Sequence, residues 1–403
     1  MSRQDQRSYQ LFISTGEVSG DLQGALLVKA LRQQANHLDI ELKILGLGGE
    51  MMAAAGVHCL ADTSAIGSIG LFETLPYLRS MQTIQQQVRR YLRQQPPDLV
   101  VMIDYFAPNV SLGQFMRRYL PDVPLVYYIA PQEWVWSVSQ RNTRQILNIT
   151  DQLLAIFPAE ATYYREHGGN VTWVGHPLVD RMQTAPDRAT ARASLGIGAE
   201  QLAVALIPVS RQQELRYILP VIFTAAQQIQ AKLPQVQFWI PLSLERYRQP
   251  IEAAIQQYGL QARLVTGQSE VVIAAADLVI AKSGTVNLET ALLEVPQVVM
   301  YRVNPLTAWV AKHLLHFSAP FVSPPNLVMM QPIVPEFLQD QATPAAISEA
   351  VLELLQNPAK RAQMQRSYVQ MRQKLGEPGV CNRAAAAIFH MLHISQSQQQ
   401  SAL

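Results

Sequence analysis

The chain reads as an α/β protein built on two doubly wound parallel sheets. Three observations predict this. Short β-branched runs alternate with longer segments of helical period along the chain. Most of the runs are continuously apolar, as strands buried on both faces of a parallel sheet are. At 403 residues the chain also exceeds the roughly 300 residues that one hydrophobic core usually spans, so two domains are expected.

In the first half, strands are expected at residues 11–14, 42–45, 99–103, 125–129, 152–156 and 171–174. The second half repeats the rhythm at 203–207, 237–240, 263–265, 278–281 and 297–300. Helical segments lie between them, residues 21–34 and 217–232 among them. In the first of these, Leu22, Ala25, Leu26 and Lys29 share one helix face, apolar but for the lysine. The rhythm breaks between residues 175 and 200, where two prolines and several small residues mark a linker. The expected organisation is a first domain over 1–185, a second over 186–365, and a helical tail over 366–403 that packs back on the first. Alternating β and α over this length specifies open, doubly wound sheets.

Composition excludes several classes. A 49% hydrophobic content rules out a disordered chain, and a net charge of +2 gives no broad basic face for nucleic acid. Cys59 and Cys381 lie far apart and in no metal-ligand spacing, which suits a reducing compartment. The polar start MSRQDQRSYQ holds no apolar signal core, and no run reaches the roughly 18 apolar residues of a spanning helix. A cytosolic protein, or one on the cytosolic face of a membrane, is expected.

The motifs lie at strand ends. TGEVSGD follows the first strand and places Glu17, Ser19 and Asp21 in a loop of phosphate-loop shape but acidic charge. VVMIDYFAPN ends a strand in Asp104, where a carboxylate can serve as general base; a turn aspartate before Pro108 is the plain alternative. APQEWVWS carries Trp134 and Trp136, which can bracket a sugar or acyl chain or simply pack in a core. His176 in VGHPLVD sits just past a strand, as a catalytic or a structural histidine.

In the second half, IPVSRQQE follows a strand. Ser210 can cap the next helix so that loop N–H groups face an anion, and Arg211 adds a fork for a diphosphate; an ordinary turn is the alternative. AKSGTVNLE offers Ser283, Gly284 and Thr285 to phosphate and Glu289 to ribose hydroxyls, or a capped helix with a dipole-serving Glu289. Neither Asp-x-Asp nor a P-loop is present, so helix N-termini and Arg211, with no metal, would meet a leaving diphosphate. Two apolar stretches, 66–82 with Phe72 and 306–317 with Trp309, can lie in a membrane interface or pack on neighbouring helices. Two doubly wound domains facing a cleft are, by architectural analogy, a plan used with nucleotide-activated sugars.

Taken in order, GEVSGD, GLGGEMMAAAG, IGSIGLFETL, the strand ending in Asp104, APQEWVWS, FPAE, VGHPL, IPVSR, SGTVNLE, VVMYRV and SPPNL resemble the lipid-A-disaccharide synthase family, nearest its cyanobacterial branch. The resemblance implies two Rossmann-like domains of the GT-B type about an interdomain cleft. It implies an inverting, metal-independent glycosyltransferase with no cofactor. The implied reaction joins UDP-2,3-diacylglucosamine to 2,3-diacylglucosamine 1-phosphate, giving a β-1,6-linked disaccharide 1-phosphate and UDP in lipid A biosynthesis. The implied place is peripheral, on the cytosolic face of the inner membrane, with a homodimer as an option.

Residue by residue, the resemblance puts Asp104 and Arg211 on the family's essential aspartate and arginine, and Ser283, Gly284, Thr285 and Glu289 on its UDP-binding segment. Asp104 stands first as base, with Glu17 and His176 behind it; Ser210 joins Arg211 at the diphosphate. Ser19, Asp21, Asn109, Trp134, Trp136 and Phe72 fall on the acceptor or lipid side. Three departures stand out: Val209 for a glycine, Ala107 for a second aspartate, and Gln132-Glu133-Trp134-Val135-Trp136 for SVWAW. Other readings remain: a transferase or epimerase of this fold acting on a soluble UDP-sugar, a non-catalytic nucleotide-binding relative, or a peripheral membrane scaffold.

Overall fold

The computed structural model describes residues 7–63, 78–136, 140–306, 309 and 320–401. The polypeptide divides into two units, Met1–Pro177 with Leu375–Leu403, and Leu178–Lys374. In the first unit, β1 (Ser8–Ser14), β2 (Glu41–Gly48), β3 (His58–Asp62), β4 (Leu99–Ile103), β5 (Leu125–Tyr128), β6 (Gln152–Ala155) and β7 (Val171–Trp173) make a seven-stranded sheet, ordered β3-β2-β1-β4-β5-β6-β7. In the second, β8 (Ala203–Ile207), β9 (Gln237–Leu242), β10 (Ala262–Thr266), β11 (Leu278–Lys282), β12 (Gln297–Tyr301) and β13 (Glu336–Leu338) make a six-stranded one, ordered β10-β9-β8-β11-β12-β13. All neighbours pair parallel.

Both orders reverse beside their first strand, at β1/β4 and at β8/β11. Loops leaving a parallel sheet diverge at such a switch point and open a crevice at its carboxyl edge. Register sets what meets there: Ser14 lies beside Met102, and Ile207 beside Ala281. The loop after β1 therefore meets the Asp104 turn, and the loop after β8 meets Ser283-Gly284-Thr285. The central strands reach this edge because they are apolar on both faces; every residue of β4, β8 and β11 is buried. Phe12, Val100, Met102 and Tyr127 belong to the first unit's core, and Ala205, Trp239, Val279 and Ala281 to the second's. Each fully buried apolar side chain contributes about 1.5–3 kcal/mol.

Two strands were not expected, β3 and β13. Both are edge strands with only half-buried or exposed residues, so neither shows an apolar run. The helix after β1 spans Glu17–His37 and so begins four residues before the expected start at 21. Gly16 is its extended N-cap, and a Cβ at Gly20 would lie 2.1 Å from the Thr15 hydroxyl, so the missing side chain lets the first turn close on the strand end. GEVSGD is thus mostly helix, with Asp21 in the second turn.

The expected linker contains helices Leu178–Met182 and Arg188–Leu195, the latter capped by Asp187 accepting the Thr190 N–H. The units exchange at Pro177/Leu178, where the sequence suggested 185/186. Residues 178–185 go with the second unit because helix Leu178–Met182 packs on helix Val286–Leu292. The chain re-enters the first unit at Leu375. There the Leu375 carbonyl accepts the His176 N–H at 2.8 Å, and Gly175 and Gly376, both at positive φ, pass so closely that a Cβ on Gly376 would lie 3.2 Å from the Gly175 Cα. Helix Val380–Ser401 then packs on helix Glu17–His37. Among the described residues no helix is long and apolar enough to cross a membrane.

Candidate functional site

In the first unit the carboxyl edge is strained. Asp104 and Tyr105 follow β4 with φ of 46° and 51°, and Ile129 follows β5 with φ of 59°. A left-handed conformation costs an L-residue about 1–2 kcal/mol, and for a branched residue such as Ile129 it is an outlier. The surroundings hold it in place. The Asp104 N–H donates to the Ile129 carbonyl at 3.0 Å, and the Asp104 carbonyl accepts the Tyr127 hydroxyl at 2.7 Å and the Asn109 amide at 2.8 Å. The turn tips the half-buried Asp104 out of line with its strand. Tyr105 lies against Gly16, whose Cβ would meet its ring at 2.5 Å, so the turn and the loop after β1 fit only with glycine there.

Asn109 is buried and serves this geometry. Its carbonyl accepts the Ser14 hydroxyl at 2.7 Å, and its amide donates to the Ser14, Ile103 and Asp104 carbonyls. Asp21 is buried and acts on another element: its carboxylate accepts the N–H groups of Gly49, Met51 and Met52 at 2.7–3.0 Å. It caps helix Glu50–Ala54 from outside, a placement its position in GEVSGD did not announce. Ser19 is half-buried in the first turn of the helix that Glu17 opens.

A second cluster surrounds helix Glu133–Trp136, which Trp136 closes. The Trp134 ring lies 5.7 Å from Phe157, and Phe157 lies 5.3 Å from His176. His176 is buried, and burial lowers its pKa to about 3. A neutral imidazole so hard to protonate packs well and accepts protons poorly. Glu160 is buried beneath. Its carboxyl accepts the N–H groups of Ile156 and Phe157 at 2.7 and 3.2 Å, yet burial raises its pKa to about 8, with the Asp104 charge adding to the rise. Burial also raises the Glu133 pKa, opposed by the Asn142 amide at 3.1 Å. The Trp134 indole N–H and one Glu133 oxygen have no hydrogen-bond partner among the described residues. Phe72 lies outside the described residues, as does most of the two apolar stretches; Leu306 and Trp309 are exposed.

In the second unit the edge is organised by charge. The helix after β8 is only Glu214–Tyr217 and takes no side-chain cap, so Ser210 does not cap it as the sequence suggested. Instead the buried Glu214 reaches back, accepting the Ser210 and Arg211 N–H groups at 2.5 and 2.9 Å. Those N–H groups therefore face a carboxylate of the protein. Val209 is buried, lacks a positive φ and accepts the Ser243 hydroxyl through its carbonyl at 3.0 Å, so valine sits here without strain. The other Glu214 oxygen lies 3.2 Å from the Lys282 ammonium and 3.9 Å from the Arg211 guanidinium.

After β11, the Ser283 hydroxyl donates to the Val322 carbonyl at 2.8 Å, and the Gly284 N–H donates to the Asn287 side chain at 2.8 Å. Thr285 is the N-cap of helix Val286–Leu292 and makes no side-chain cap bond. Glu289 is buried within that helix, where Arg181 approaches it at 2.5 Å and also reaches Glu270 at 3.3 Å. Burial raises the Glu289 pKa, and Arg181 opposes the rise. Glu336 accepts the Val322 and Ser323 N–H groups, each at 2.7 Å, and so holds the SPPNL segment beside this loop.

Register thus brings Asp104 to the loop after β1, and Ser210 and Arg211 to Ser283, Gly284 and Thr285. Sequence reasoning missed Glu214, Lys282, Arg181 and Glu160. The signals were slight: a glutamate three residues after Arg211, and a lysine ending the apolar run of β11. Among the described residues no group of three or more His, Cys, Asp or Glu side chains could hold a metal ion.

Two doubly wound units with this strand order define the fold of GT-B glycosyltransferases and sugar-nucleotide epimerases. Solved structures agree. A UDP-GlcNAc 2-epimerase from Neisseria meningitidis bound to UDP-GlcNAc superposes with a TM-score of 0.64 at 13% identity, over 95% of this chain and 100% of the other. The S. aureus MnaA–UDP structure gives 0.63 at 13%, over 96% and 97%. At such identity the likeness concerns the fold alone. The sequence goes further: the lipid-A-disaccharide synthetase family model matches residues 11–390. Lipid-A-disaccharide synthases of Gloeothece citriformis and Synechocystis sp. are 54% and 52% identical, over 94% and 97% of this chain and 99% of each relative. The chain belongs to the lipid-A-disaccharide synthase family, whose members are glycosyltransferases of lipid A biosynthesis acting on UDP-sugar and lipid A precursors.

Proposed function

We propose that the chain condenses UDP-2,3-diacylglucosamine with 2,3-diacylglucosamine 1-phosphate, giving the β-1,6-linked lipid A disaccharide 1-phosphate and UDP. The observation that carries this is the family match over residues 11–390, which spans both sheets and every residue given a role below. Asp104 takes the proton of the acceptor 6-hydroxyl. The oxygen attacks the anomeric carbon on the face opposite UDP, the bond from that carbon to the diphosphate breaks, and the electron pair leaves with UDP. The strained turn supports this role because its hydrogen bonds fix the backbone that carries the carboxylate before substrate arrives. Glu17 stands second as base. His176 stands third, since an imidazole with a pKa near 3 is a weak base.

Arg211, with the hydroxyls of Ser210 and Thr285, receives the diphosphate beside Ser283 and Gly284, whose hydroxyl and N–H are directed to Val322 and Asn287; Glu289 receives the ribose. Helix N-termini contribute less than the sequence suggested, because the helices here span four and seven residues and Glu214 engages the loop N–H groups. Ser19, Trp134, Trp136 and Phe72 serve the acceptor and its acyl chains, while Asp21 and Asn109 shape that side from beneath. Peripheral association with the cytosolic face of the inner membrane belongs to the same reading, as does pairing of two chains; the exposed Leu306 and Trp309 support a lipid contact. The test is to incubate the protein with both acylated substrates and weigh the product. The disaccharide 1-phosphate with equimolar UDP is expected; UDP binding with no product from the pair would refute catalysis.

A further inference from the structure

β11 is a buried strand, LVIAK, whose last residue is a lysine. Lys282 is itself buried, and its ammonium lies 3.2 Å from the Glu214 carboxylate and 3.5 Å from the Ser283 carbonyl. It passes directly over Gly284, where an added Cβ would stand 3.2 Å from the ammonium. The glycine of SGT therefore makes room first for a charge of the protein itself. Glu214 joins this lysine to the neighbouring loop: one oxygen binds the Ser210 and Arg211 N–H groups, and the other faces both Lys282 and, at 3.9 Å, Arg211. Glu214 thus draws two cations together at the point where the loops after β8 and β11 meet.

A buried lysine–glutamate pair is a poor stabilising device, since desolvation offsets most of its attraction and apolar residues of the same volume would pack as well. A diphosphate changes that balance. It carries more negative charge than one guanidinium answers, and it competes with Glu214 for both cations. Building on the donor-site reading above, we propose that Lys282 is a second diphosphate-binding residue, held beside Arg211 by Glu214 until the UDP-sugar arrives. Lysine acts there as a point charge and Arg211 as a planar fork.

The test uses the full chain, with UDP, inorganic pyrophosphate and uridine as probes in calorimetric titrations. Lys282→Met keeps the length of the side chain and removes its charge. UDP and pyrophosphate should bind about tenfold to a hundredfold more weakly, the range of a charge-assisted hydrogen bond, while uridine affinity holds. Unchanged UDP affinity, or an equal loss for uridine, overturns the assignment. Should that variant fail to fold, Glu214→Gln keeps an acceptor for the loop and removes the competing carboxylate; pyrophosphate should then bind at least as tightly as in the parent. A loss there overturns the assignment too. If the parent protein binds no UDP, the donor-site reading falls first and the role of Lys282 with it; a parent that binds and a Lys282→Met variant that binds equally refute Lys282 alone.

Discussion

The two carboxyl edges solve one problem with opposite chemistry. In the first unit the edge is held by uncharged groups and backbone strain: the Asn109 amide, the Tyr127 hydroxyl, a Glu160 whose pKa sits near 8, a His176 whose pKa sits near 3, and positive φ at Asp104, Tyr105 and Ile129. In the second it is held by ion pairs: Glu214 with Lys282 and Arg211, and Glu289 with Arg181. The difference follows the ligands assigned to each side. At Asp104 the acceptor presents its uncharged 6-hydroxyl, so a neutral, rigid frame leaves Asp104 as the acting carboxylate. A diphosphate brings charge that must be met, and cations parked on internal carboxylates can meet it without reorganising the loops.

The comparison breaks most visibly at Asp104. Asp104→Asn keeps size and tolerates the left-handed backbone, so the fold should survive. Turnover should fall on the order of a thousandfold while UDP affinity stays unchanged. Near-normal turnover would remove Asp104 as the base, and weakened UDP binding would blur the division between units.

Glu160 tests whether the first edge is a neutral frame. Its carboxyl pKa is raised by burial from 4.5 to about 8, so the folded state favours the protonated form. That contribution is complete below the unfolded pKa and is lost as pH rises through the folded one. Thermal melts from pH 5 to 9 should show the parent losing stability relative to Glu160→Gln, by on the order of a few kcal/mol at the alkaline end. A constant difference between the two across that range would contradict the neutral carboxyl. Asn109→Ala should cost less, about 1–3 kcal/mol in denaturant unfolding, since it orphans the buried Ser14 hydroxyl and loosens the Asp104 turn. A variant as stable as the parent would show the turn to be held by other contacts.

Much of the fold was legible because the central strands are long apolar runs; β3 and β13 were not, since edge strands bury too little to show one. Of the candidate site, the positions of Asp104 just after β4 and of Arg211 in the loop after β8 were legible. The buried carboxyls near them were not, for Glu214 reads as an exposed residue in RQQEL, and Glu160 as the third residue of a helix. What gives each its role is burial, which depends on the chain folding back. Asp21 carries the same lesson: the resemblance put it on the acceptor or lipid side, and the structure shows it capping a helix that begins at Glu50.

The most direct test of the division between the edges is hydrogen–deuterium exchange of the full chain with and without UDP. Slowed exchange across residues 207–214 and 281–289, with residues 14–21 and 104–109 unchanged, is the predicted result. Protection of residues 14–21 and 104–109 with none in the second unit would contradict it.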